Sequence, residues 1–581
     1  MKIILSTLNS KYIHTSLSIR ALHSNSIPKG FQSLLKEYTI NDQLDHILSD
    51  LYRCKGDIYG FSCYIWNLEE TLKIVGNLKK ILPTALIVLG GPEVSFDGKE
   101  VLDHSCADIV VKGEGEITFR ELLSKYQSGE DYYNTDGIVY KKDQTIYETR
   151  DRPALQDMDQ LHFAYEKEDM GKYKNQILYY EGSRGCPFSC SYCLSSVDKA
   201  VRLHSIDRVK RDLLHFLDHN VKQVKFVDRT FNCNVSWAKD IISFLIQNNN
   251  GHTNFHFEMA ADLLDDEIIK LLNTAPVGLF QLEVGIQSVN ESTLASIQRA
   301  TSIEKIEKNI RKLQSSQNMH IHLDLIAGLP EEDFDTFAHS FNKVYTMKPD
   351  MLQLGFLKVL KGSPIYLQRD KYHLKYTANP PYEILSNDFI SYDEIIGLKK
   401  IESLLDRYNN SGNFQNTLDY FILQKEKAPF SFFQEFVSYW EEKKLFDVSH
   451  NKDRLYEILL DFAYTLEENV DFIKELLKLD YLMYNKLTLP AFIASTSPRK
   501  EEVFELLKNP NFKAKYLPYQ IETPAKKLYK EVQIEIFKYN ITNLAAPMKR
   551  DTVLMFHKAT KPMLRQVNEY KVISKYATAS Q

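Results

Sequence analysis

Three cysteines of this chain, Cys186, Cys190 and Cys193, fall within the run Glu181-Gly-Ser-Arg-Gly-Cys-Pro-Phe-Ser-Cys-Ser-Tyr-Cys193. Their C-x₃-C-x₂-C spacing puts three thiolates on one short segment. Thiolates are soft ligands that suit zinc, copper(I) or iron–sulfur clusters. Three of them would leave one metal of a four-iron cube without a protein ligand, so that this metal could hold a substrate.

The residues just before the cysteines predict where the motif lies in the fold. Gln176-Ile-Leu-Tyr-Tyr180 is β-branched and aromatic enough for a buried strand, and Gly182 and Gly185 break it ahead of Cys186. We therefore expect the cysteines on a loop at the carboxyl end of a strand, where barrel enzymes build their sites.

Further strand-like runs follow this one at regular spacing, with helical patterns between them. Six βα units predict an open, partial (β/α)₆ barrel, and this periodicity is independent of the cysteines. The expected strands are residues 177–182, 222–227, 254–260, 279–285, 321–327 and 352–358.

The cysteine motif after a first strand, with Tyr192 before its third cysteine, resembles the signature of the radical S-adenosylmethionine (SAM) superfamily. The resemblance implies that Cys186, Cys190 and Cys193 ligate a [4Fe–4S] cluster whose fourth iron chelates SAM. One electron then cleaves SAM to a 5′-deoxyadenosyl radical, which implies an electron donor such as flavodoxin or ferredoxin as a partner. The alternative is a zinc site of Cys₃His type, with His204 as its histidine, or a redox pair of the last two cysteines.

Polar residues at the strand ends are the candidate SAM contacts. Asp228 follows strand two, where the resemblance implies a Gly-Gly-Glu segment that meets the SAM amino group; this sequence departs from that form, but Asp228 can supply the carboxylate. Residues 281–288 resemble the Glu-x-Gly-x-x-Ser element of the family.

Arg184 or Arg229 could neutralise the SAM carboxylate or the cluster, or form surface ion pairs. The expected SAM-binding residues are Tyr192, Asp228, Glu258, Glu283, Gly285 and Ser288. For any single carboxylate, the alternative is an ion pair at the barrel mouth.

The amino-terminal residues 1–128 alternate strand-like runs with amphipathic helical runs, which predicts a doubly wound, Rossmann-like parallel sheet. Ligands of such sheets lie at the carboxyl ends of the strands, where glycines allow close approach to the backbone. The residues at these ends are Ser62, Gly90, Gly91, Glu93, Gly113 and Glu114.

Two of these segments, Leu89-Gly-Gly-Pro-Glu93 and residues 108–116, resemble the cobalamin-binding domain that precedes the radical SAM domain in one large subclass. The resemblance implies that cobalamin is bound by the strand-end residues named above. No Asp-x-His-x-x-Gly motif occurs, so no lower axial histidine is identifiable. The alternative is that the glycines are turn residues of a Rossmann-like domain without a cofactor.

We divide the chain into residues 1–128 (cobalamin-binding-like), a polar connector with one hairpin over 129–174, the barrel over 175–385 and a mainly helical domain over 386–581. A net charge of −5 gives no general attraction to nucleic acid. No apolar run is long enough for a signal peptide or a membrane span, which favours a cytoplasmic protein.

The expected function is that of a radical SAM enzyme that carries out cobalamin-dependent methyl transfer or rearrangement on a small molecule. The arrangement of the chain resembles a poorly characterised branch of the subclass that has its own carboxyl-terminal domain. This resemblance does not identify the substrate. Two alternatives stay open. The first is a radical SAM enzyme without cobalamin, acting by hydrogen abstraction or methylthiolation, and the second is a non-catalytic sensor of cobalamin or of a cluster.

Overall fold

A computed structural model describes residues 1–423, 428–466, 469–543, 548–559 and 567–573 of the chain. The chain divides into two compact units. The first consists of Met1–Ser316, Gly328–Asp333 and Gly355–Ser391, and the second of Gln317–Ala327, Phe334–Leu354 and the described part of Tyr392–Gln581. None of the described helices is long and apolar enough to cross a membrane.

The amino-terminal part of the first unit is built on one sheet. Its strands are β1 (Lys2–Asn9), β2 (Gln32–Thr39), β3 (Ile58–Ser62), β4 (Leu86–Gly90), β5 (Ile109–Val111), β6 (Ile138–Lys142) and β7 (Thr145–Glu148). Its helices are α1 (Leu17–Asn25), α2 (Leu44–Cys54), α3 (Leu68–Ile81), α4 (Pro92–Ser95), α5 (Gly98–Asp103) and α6 (Gly115–Ser128).

The order of the strands in this sheet is β2-β1-β3-β4-β5-β6-β7. The first five are parallel, β6 is antiparallel to β5, and β7 is antiparallel to β6. The predicted hairpin is therefore present, but it continues this sheet instead of lying in a separate connector. Alternate residues of β1 enter opposite cores, with Ile3 and Leu5 on one face and Ile4 and Leu8 on the other. Helices thus cover both faces, as the apolar strands require.

The first unit continues with a second parallel sheet, in which β8, β11, β12 and β13 are neighbours in that order. The strands of this sheet are β8 (Ile177–Tyr180), β11 (Gln223–Phe226), β12 (Asn254–Glu258) and β13 (Phe280–Gln287). Two short strands, β9 (Ser183–Arg184) and β10 (Arg202–Leu203), form a separate antiparallel pair. The helices of this part are α7 (Ile206–Asp218), α8 (Val235–Gln247), α9 (Asp266–Asn273), α10 (Glu291–Ser296) and α11 (Ile303–Gln314).

Two more predicted barrel strands follow, β14 (His320–Ala327) and β15 (Met351–Phe356), with α12 (Phe334–Tyr345) between them in the chain. They are neighbours in a sheet. All six predicted barrel strands therefore form, each within a few residues of its expected position. The first unit then ends with the short α13 (Pro364–Leu367) and the antiparallel pair β16 (Lys375–Tyr376) and β17 (Ile384–Ser386).

The carboxyl-terminal part of the second unit is mainly helical, as predicted. Its helices are α14 (Tyr392–Leu404), α15 (Gln415–Leu423), α16 (Pro429–Glu442), α17 (Lys452–Thr465), α18 (Val470–Tyr484), α19 (Lys500–Lys508), α20 (Pro510–Tyr516) and α21 (Ala525–Glu531). Aromatic residues such as Phe436, Trp440 and Phe462 pack together in its core. An antiparallel sheet of β18 (Val532–Tyr539), β19 (Lys549–Lys558) and β20 (Asn568–Ile573), which the sequence did not resolve, follows the helices.

Candidate active site

The three cysteines lie on the loop after β8, as predicted. Strands β9 and β10 pair and so close this loop at its base. Gly185 has a φ of +94°, and a Cβ there would lie 2.3 Å from the carbonyl oxygen of Ala200, so this turn requires glycine. Cys186 and Cys190 are buried and Cys193 is partly exposed. The thiols are thus held at one end of the strand, largely shielded from water.

Backbone hydrogen bonds fix the cysteine loop on both sides. The N–H of Ser191 donates to the carbonyl of Ile297, and its own carbonyl accepts from the N–H of Ile365, each at 2.8 Å. The N–H of Cys186 donates to the carbonyl of Asp198 at 2.9 Å. A cluster that binds here would therefore meet a preformed loop.

The donor set suits a cluster. In the described part of the chain, no three His, Cys, Asp or Glu side chains lie close enough to share one metal ion. The three thiolates of a cube bind three different irons, so they need not converge on one point. His204, the histidine of the zinc alternative, places its Nδ1 3.0 Å from the Asp159 carboxylate instead.

Arg299 is the arginine that reaches the cysteine loop, and sequence reasoning missed it. Its guanidinium donates to Cys190 Sγ at 3.5 Å, to Tyr192 Oη at 3.3 Å and to the carbonyl of Gly285. Its Nε is buried and has no hydrogen-bond partner in the described chain. Arg299 follows helix α10 and not a barrel strand, so it lies outside the strand-end segments that predict SAM contacts.

The two predicted arginines, Arg184 and Arg229, make ion pairs with carboxylates and no contact with the cysteine sulfurs that the structure describes. Arg184 donates to Glu181 at 2.9 Å and forms ion pairs with Glu114 and Glu116. Arg229 has a side chain that is 55% exposed and lies 3.9 Å from Glu258. Arg184 is thus a structural ion-pair residue of the cysteine loop.

Asp228 anchors the start of the cysteine loop. It is fully buried, and its carboxylate accepts from the N–H of Gly182 at 2.9 Å and from the hydroxyl of Ser183 at 2.6 Å. Burial raises the pKa of Asp228 to about 7. Both carboxylate oxygens therefore have partners within the protein, and a direct contact of Asp228 with SAM stays a prediction.

The other predicted carboxylates lie side by side, because Glu258 of β12 is in register with Glu283 of β13. Glu283 accepts from Lys225 at 2.9 Å and lies 3.0 Å from His256 Nε2. Burial opposes ionisation of Glu283, but His256 and Lys225 outweigh it and lower the pKa to about 2. Burial raises the pKa of Glu258, which Arg229 only partly offsets. An ammonium group facing the pair would meet one firmly ionised carboxylate.

The end of β13 carries backbone strain. Gln287 has a φ of +72°, and its Oε1 is buried without a hydrogen-bond partner in the described chain. A Cβ on Gly285 would lie 2.1 Å from Gln287 Nε2, so the glycine makes room for this side chain. The hydroxyl of Ser288 donates to Glu332 at 2.6 Å. Strained residues of this kind cost about 1–3 kcal/mol and cluster at functional sites. The buried amide oxygen suits a donor group of SAM.

The predicted cobalamin residues lie at the carboxyl edge of the amino-terminal sheet. The order of its first five strands reverses between β1 and β3, and ligands of doubly wound sheets bind at such a switch point. Ser62 lies there, with its hydroxyl 2.7 Å from that of Ser18. The amide of Asn67 donates to the carbonyls of Leu8 and Ser62 and so joins the two strands. Nearby, Trp66 stacks on Tyr64 and is 44% exposed.

At this edge, Gly91 is required by the neighbouring backbone of the protein itself, and Gly113 leaves room for a ligand. Gly91 has a φ of +113°, and a Cβ there would lie 2.4 Å from the carbonyl oxygen of Cys63. A Cβ on Gly113 would meet nothing within 4 Å, so the space beside this backbone is open. The open side of Gly113 fits a large ligand that approaches the strand ends closely.

The two acidic residues of the predicted cobalamin set make contacts beyond the sheet. Glu93 is hydrogen-bonded to Tyr382, and burial raises its pKa. Glu114 accepts from Arg202 at 2.6 Å and from the N–H of Leu155 at 3.0 Å. The structure therefore brings together Ser62 and the glycines, while Glu93 and Glu114 hold neighbouring segments. A cobalamin contact of any of them stays a prediction.

Three family descriptions match consecutive parts of the chain. Residues 5–123 match the B12 binding domain, residues 180–344 the Radical SAM superfamily, and residues 370–556 a family described as Protein of unknown function (DUF4080). Both resemblances, to radical SAM proteins and to their cobalamin-binding subclass, are thereby confirmed, as are the expected cofactors: a [4Fe–4S] cluster, SAM and cobalamin.

Several relatives are named methyltransferases. The chain is 28% identical over 325 residues to an uncharacterized methyltransferase, PH0819, of Pyrococcus horikoshii, a match that covers 54% of this chain and 68% of the relative. It is 25% identical over 333 residues to the cobalamin-dependent radical SAM methyltransferase TokK of Streptomyces tokunonensis. That match covers 53% of this chain and 48% of TokK, about half of the relative's length.

A solved structure shares the fold. The cobalamin-dependent SAM radical enzyme OxsB, with aqua-cobalamin and SAM bound, superimposes with a TM-score of 0.58 at 15% sequence identity. The superposition covers 82% of this chain and 79% of OxsB. The predicted fold class, a Rossmann-like domain followed by a partial parallel barrel and a mainly helical region, is confirmed.

Proposed function

Since this chain combines a B12-binding domain with a radical SAM domain and is a radical SAM enzyme, we propose that it methylates a carbon of a small molecule. Its function is of the cobalamin-dependent radical SAM methyltransferase type. In the proposal, SAM has two uses: reductive cleavage to a 5′-deoxyadenosyl radical that removes hydrogen from the substrate, and donation of the methyl group. When bound, the cluster supplies the electron for cleavage, and cobalamin carries the methyl group.

The observation that carries the proposal is an ion-pair seam in the first unit. Arg184 and Arg202 lie on the paired strands that close the cysteine loop, and both contact Glu114, which follows β5 of the amino-terminal sheet. Arg184 also pairs with the buried Glu116. The base of the cysteine loop is therefore joined directly to the carboxyl edge of the glycine-lined sheet. Adjacent sites of this kind suit a reaction that needs both cofactors.

The residues of the chain have separate roles in this proposal. Cys186, Cys190 and Cys193 hold three irons, and Asp228 fixes the start of their loop. Glu283, with Glu258 beside it, supplies negative charge for the SAM ammonium group. The side chains of Gln287 and Tyr192 line the same end of the sheet and exclude water.

The proposal is tested with anaerobically reconstituted protein, cobalamin, reductant and methyl-labelled SAM. We expect two products: 5′-deoxyadenosine from reductive cleavage, and S-adenosylhomocysteine, which remains when SAM gives up its methyl group. Cys190→Ala should abolish 5′-deoxyadenosine and lose iron, because two thiolates cannot anchor a cube. Cys106→Ala, a change of an exposed cysteine outside the motif, should keep both.

A different outcome would leave an alternative in place. Binding at micromolar concentrations corresponds to a binding free energy of about 8 kcal/mol. If cobalamin binds more weakly than this and 5′-deoxyadenosine alone appears, the enzyme is a hydrogen-abstracting radical enzyme without cobalamin. If SAM is not cleaved at all, although cluster and cobalamin bind, a sensor is favoured.

A further inference from the structure

A cavity of about 780 Å³ lies within the carboxyl-terminal part of the second unit. Its walls are one face of α18, the segment 492–496 and the facing parts of β18 and β19. None of the cysteine, SAM or cobalamin candidate residues lines it. It is thus separate from the candidate cofactor residues, in a part of the chain to which the proposed function assigns no role.

A buried lysine forms the floor of this cavity. Lys478 is 3% exposed, and its ammonium donates to Thr496 Oγ1 at 2.9 Å and to the carbonyl of Ile536 at 3.4 Å. The fully buried Glu535 lies 3.8 Å away and accepts from the backbone N–H of Thr496 at 2.7 Å. Burying charged groups costs free energy even when they are paired. This network holds a charged group at the base of an open cavity.

Glu475, one turn before Lys478 on α18, is ion-paired with Lys478, but one of its carboxylate oxygens accepts no hydrogen bond within the described chain. Its Oε2 is buried and accepts no hydrogen bond within the described chain, although Lys478 Nζ lies 3.2 Å away. Lys478 forms an ion pair with this carboxylate and donates its hydrogen bonds to Thr496 and Ile536. Buried acceptors without a donor are rare, and each calls for a partner. Since Glu475 lines the cavity, an N–H or O–H group of a ligand would supply that partner.

The rim of the cavity is positively charged. Its three acidic side chains each lie within 4 Å of a lysine of the same wall. Lys549 and Arg550, both exposed at the start of β19, have no ion pair among the described residues. Leu477 and Phe492 add apolar surface to the walls. Two uncompensated cations therefore face a cavity whose walls are partly apolar.

We propose that this cavity binds an organic anion that has an apolar body and a hydrogen-bond donor. The anionic group would lie against Lys549 and Arg550, and the donor would reach Glu475. The apolar body would pack on Leu477 and Phe492. This site is independent of the proposed methyl transfer, since it contains none of the cofactor residues.

The test measures binding of 8-anilinonaphthalene-1-sulfonate, which combines a sulfonate, an N–H donor and apolar rings, to the full chain loaded with its cofactors. Calorimetry should show a site of one probe per chain. The double variant Lys549→Gln/Arg550→Gln should weaken this site at least tenfold, because both positive charges are lost. Ala494→Trp, which places a large ring at the cavity wall, should weaken it as strongly.

A matched control keeps the number of lost charges the same. Lys526→Gln/Lys527→Gln removes two exposed lysines of α21 that do not line the cavity, and binding should stay as in the parent chain. Added salt should weaken the parent site, because the rim cations are exposed. Equal affinity in the parent chain, the rim variant and Ala494→Trp would overturn the proposal, as would a complete lack of binding.

Discussion

Single side chains set the chemistry of the cysteine loop. Arg299 donates to the sulfur of Cys190, and hydrogen bonds to cluster sulfurs are among the factors that set the reduction potential of a cluster. A positive charge beside the sulfur stabilises the reduced cluster, which carries more negative charge. Arg299 is therefore a positioning residue that also favours acceptance of the electron.

Replacing Arg299 with Gln should make the cluster harder to reduce. We expect the ratio of reduced to oxidised cluster at a fixed potential to fall about tenfold, which corresponds to a potential about 59 mV more negative for one electron. A redox titration followed by electron paramagnetic resonance measures this shift. Arg299→Lys keeps the charge and should shift the potential less.

The control for this prediction is Arg311→Gln, which removes an exposed arginine of α11. Its potential should equal that of the parent chain. If Arg299→Gln lowers the amount of cluster but leaves the potential of the remaining cluster unchanged, the arginine has only a structural role.

The buried carboxyl group of Asp228 should make the stability of the protein depend on pH. Its pKa is about 7 in the folded chain and 3.8 as its ordinary value, so between these values the folded state binds more protons than the unfolded state. The free energy of unfolding therefore falls as the pH rises through this window, by about 1.4 kcal/mol per pH unit at most. Asp228→Asn removes this loss, since its amide can still bond Gly182 and Ser183. Thermal unfolding midpoints from pH 5 to 8 should increasingly favour the variant.

The control is Asp240→Asn on α8, an exposed aspartate, which should leave the pH profile of the parent chain unchanged. A difference between Asp228→Asn and the parent chain that is constant across this pH range would contradict the prediction.

At the scale of elements, α1 is fixed by one buried arginine. Arg20 is 1% exposed, forms an ion pair with Glu37 of β2 and donates to the hydroxyl of Tyr173 at 3.0 Å. Its guanidinium also lies 4.9 Å from the centroid of the Tyr173 ring. This one side chain thus links a helix and a strand of the amino-terminal domain to the segment that leads into the barrel.

Arg20→Met should destabilise the amino-terminal domain by about 3 kcal/mol, because it leaves Glu37 without its cation in a largely buried position. Urea unfolding followed by circular dichroism measures the change. The matched variant Arg53→Met removes an exposed arginine of α2 and should change the free energy of unfolding by less than about 0.5 kcal/mol. Equal effects of the two variants would show that the buried ion pair contributes little.

At the scale of the whole molecule, the first unit holds both candidate cofactor sites, and the second unit holds a separate cavity. In the proposed function, the seam of Arg184 and Arg202 with Glu114 joins the two sheets that hold the two cofactors. The independence of the carboxyl-terminal cavity means that its variants should leave SAM cleavage intact. The two proposals can therefore fail separately.

The features that could be predicted from the sequence are those that depend on residues close together in the chain. The spacing of Cys186, Cys190 and Cys193 specifies a cluster motif within eight residues, and the alternation of apolar strand and helix patterns specifies parallel sheets. The glycines at Gly90, Gly91 and Gly113 follow strands, so their place at the sheet edge could also be predicted.

The contacts between side chains that are far apart in the chain are seen in the tertiary structure alone. Arg299 lies 109 residues from Cys190 in the chain, and the path of the intervening elements places them 3.5 Å apart. Asp228 matches the expected position of a SAM contact, yet its oxygens are bonded to Gly182 and Ser183. The physical reason is that sequence periodicity fixes which face of an element is buried, whereas hydrogen-bond partners depend on how loops bring separate elements together.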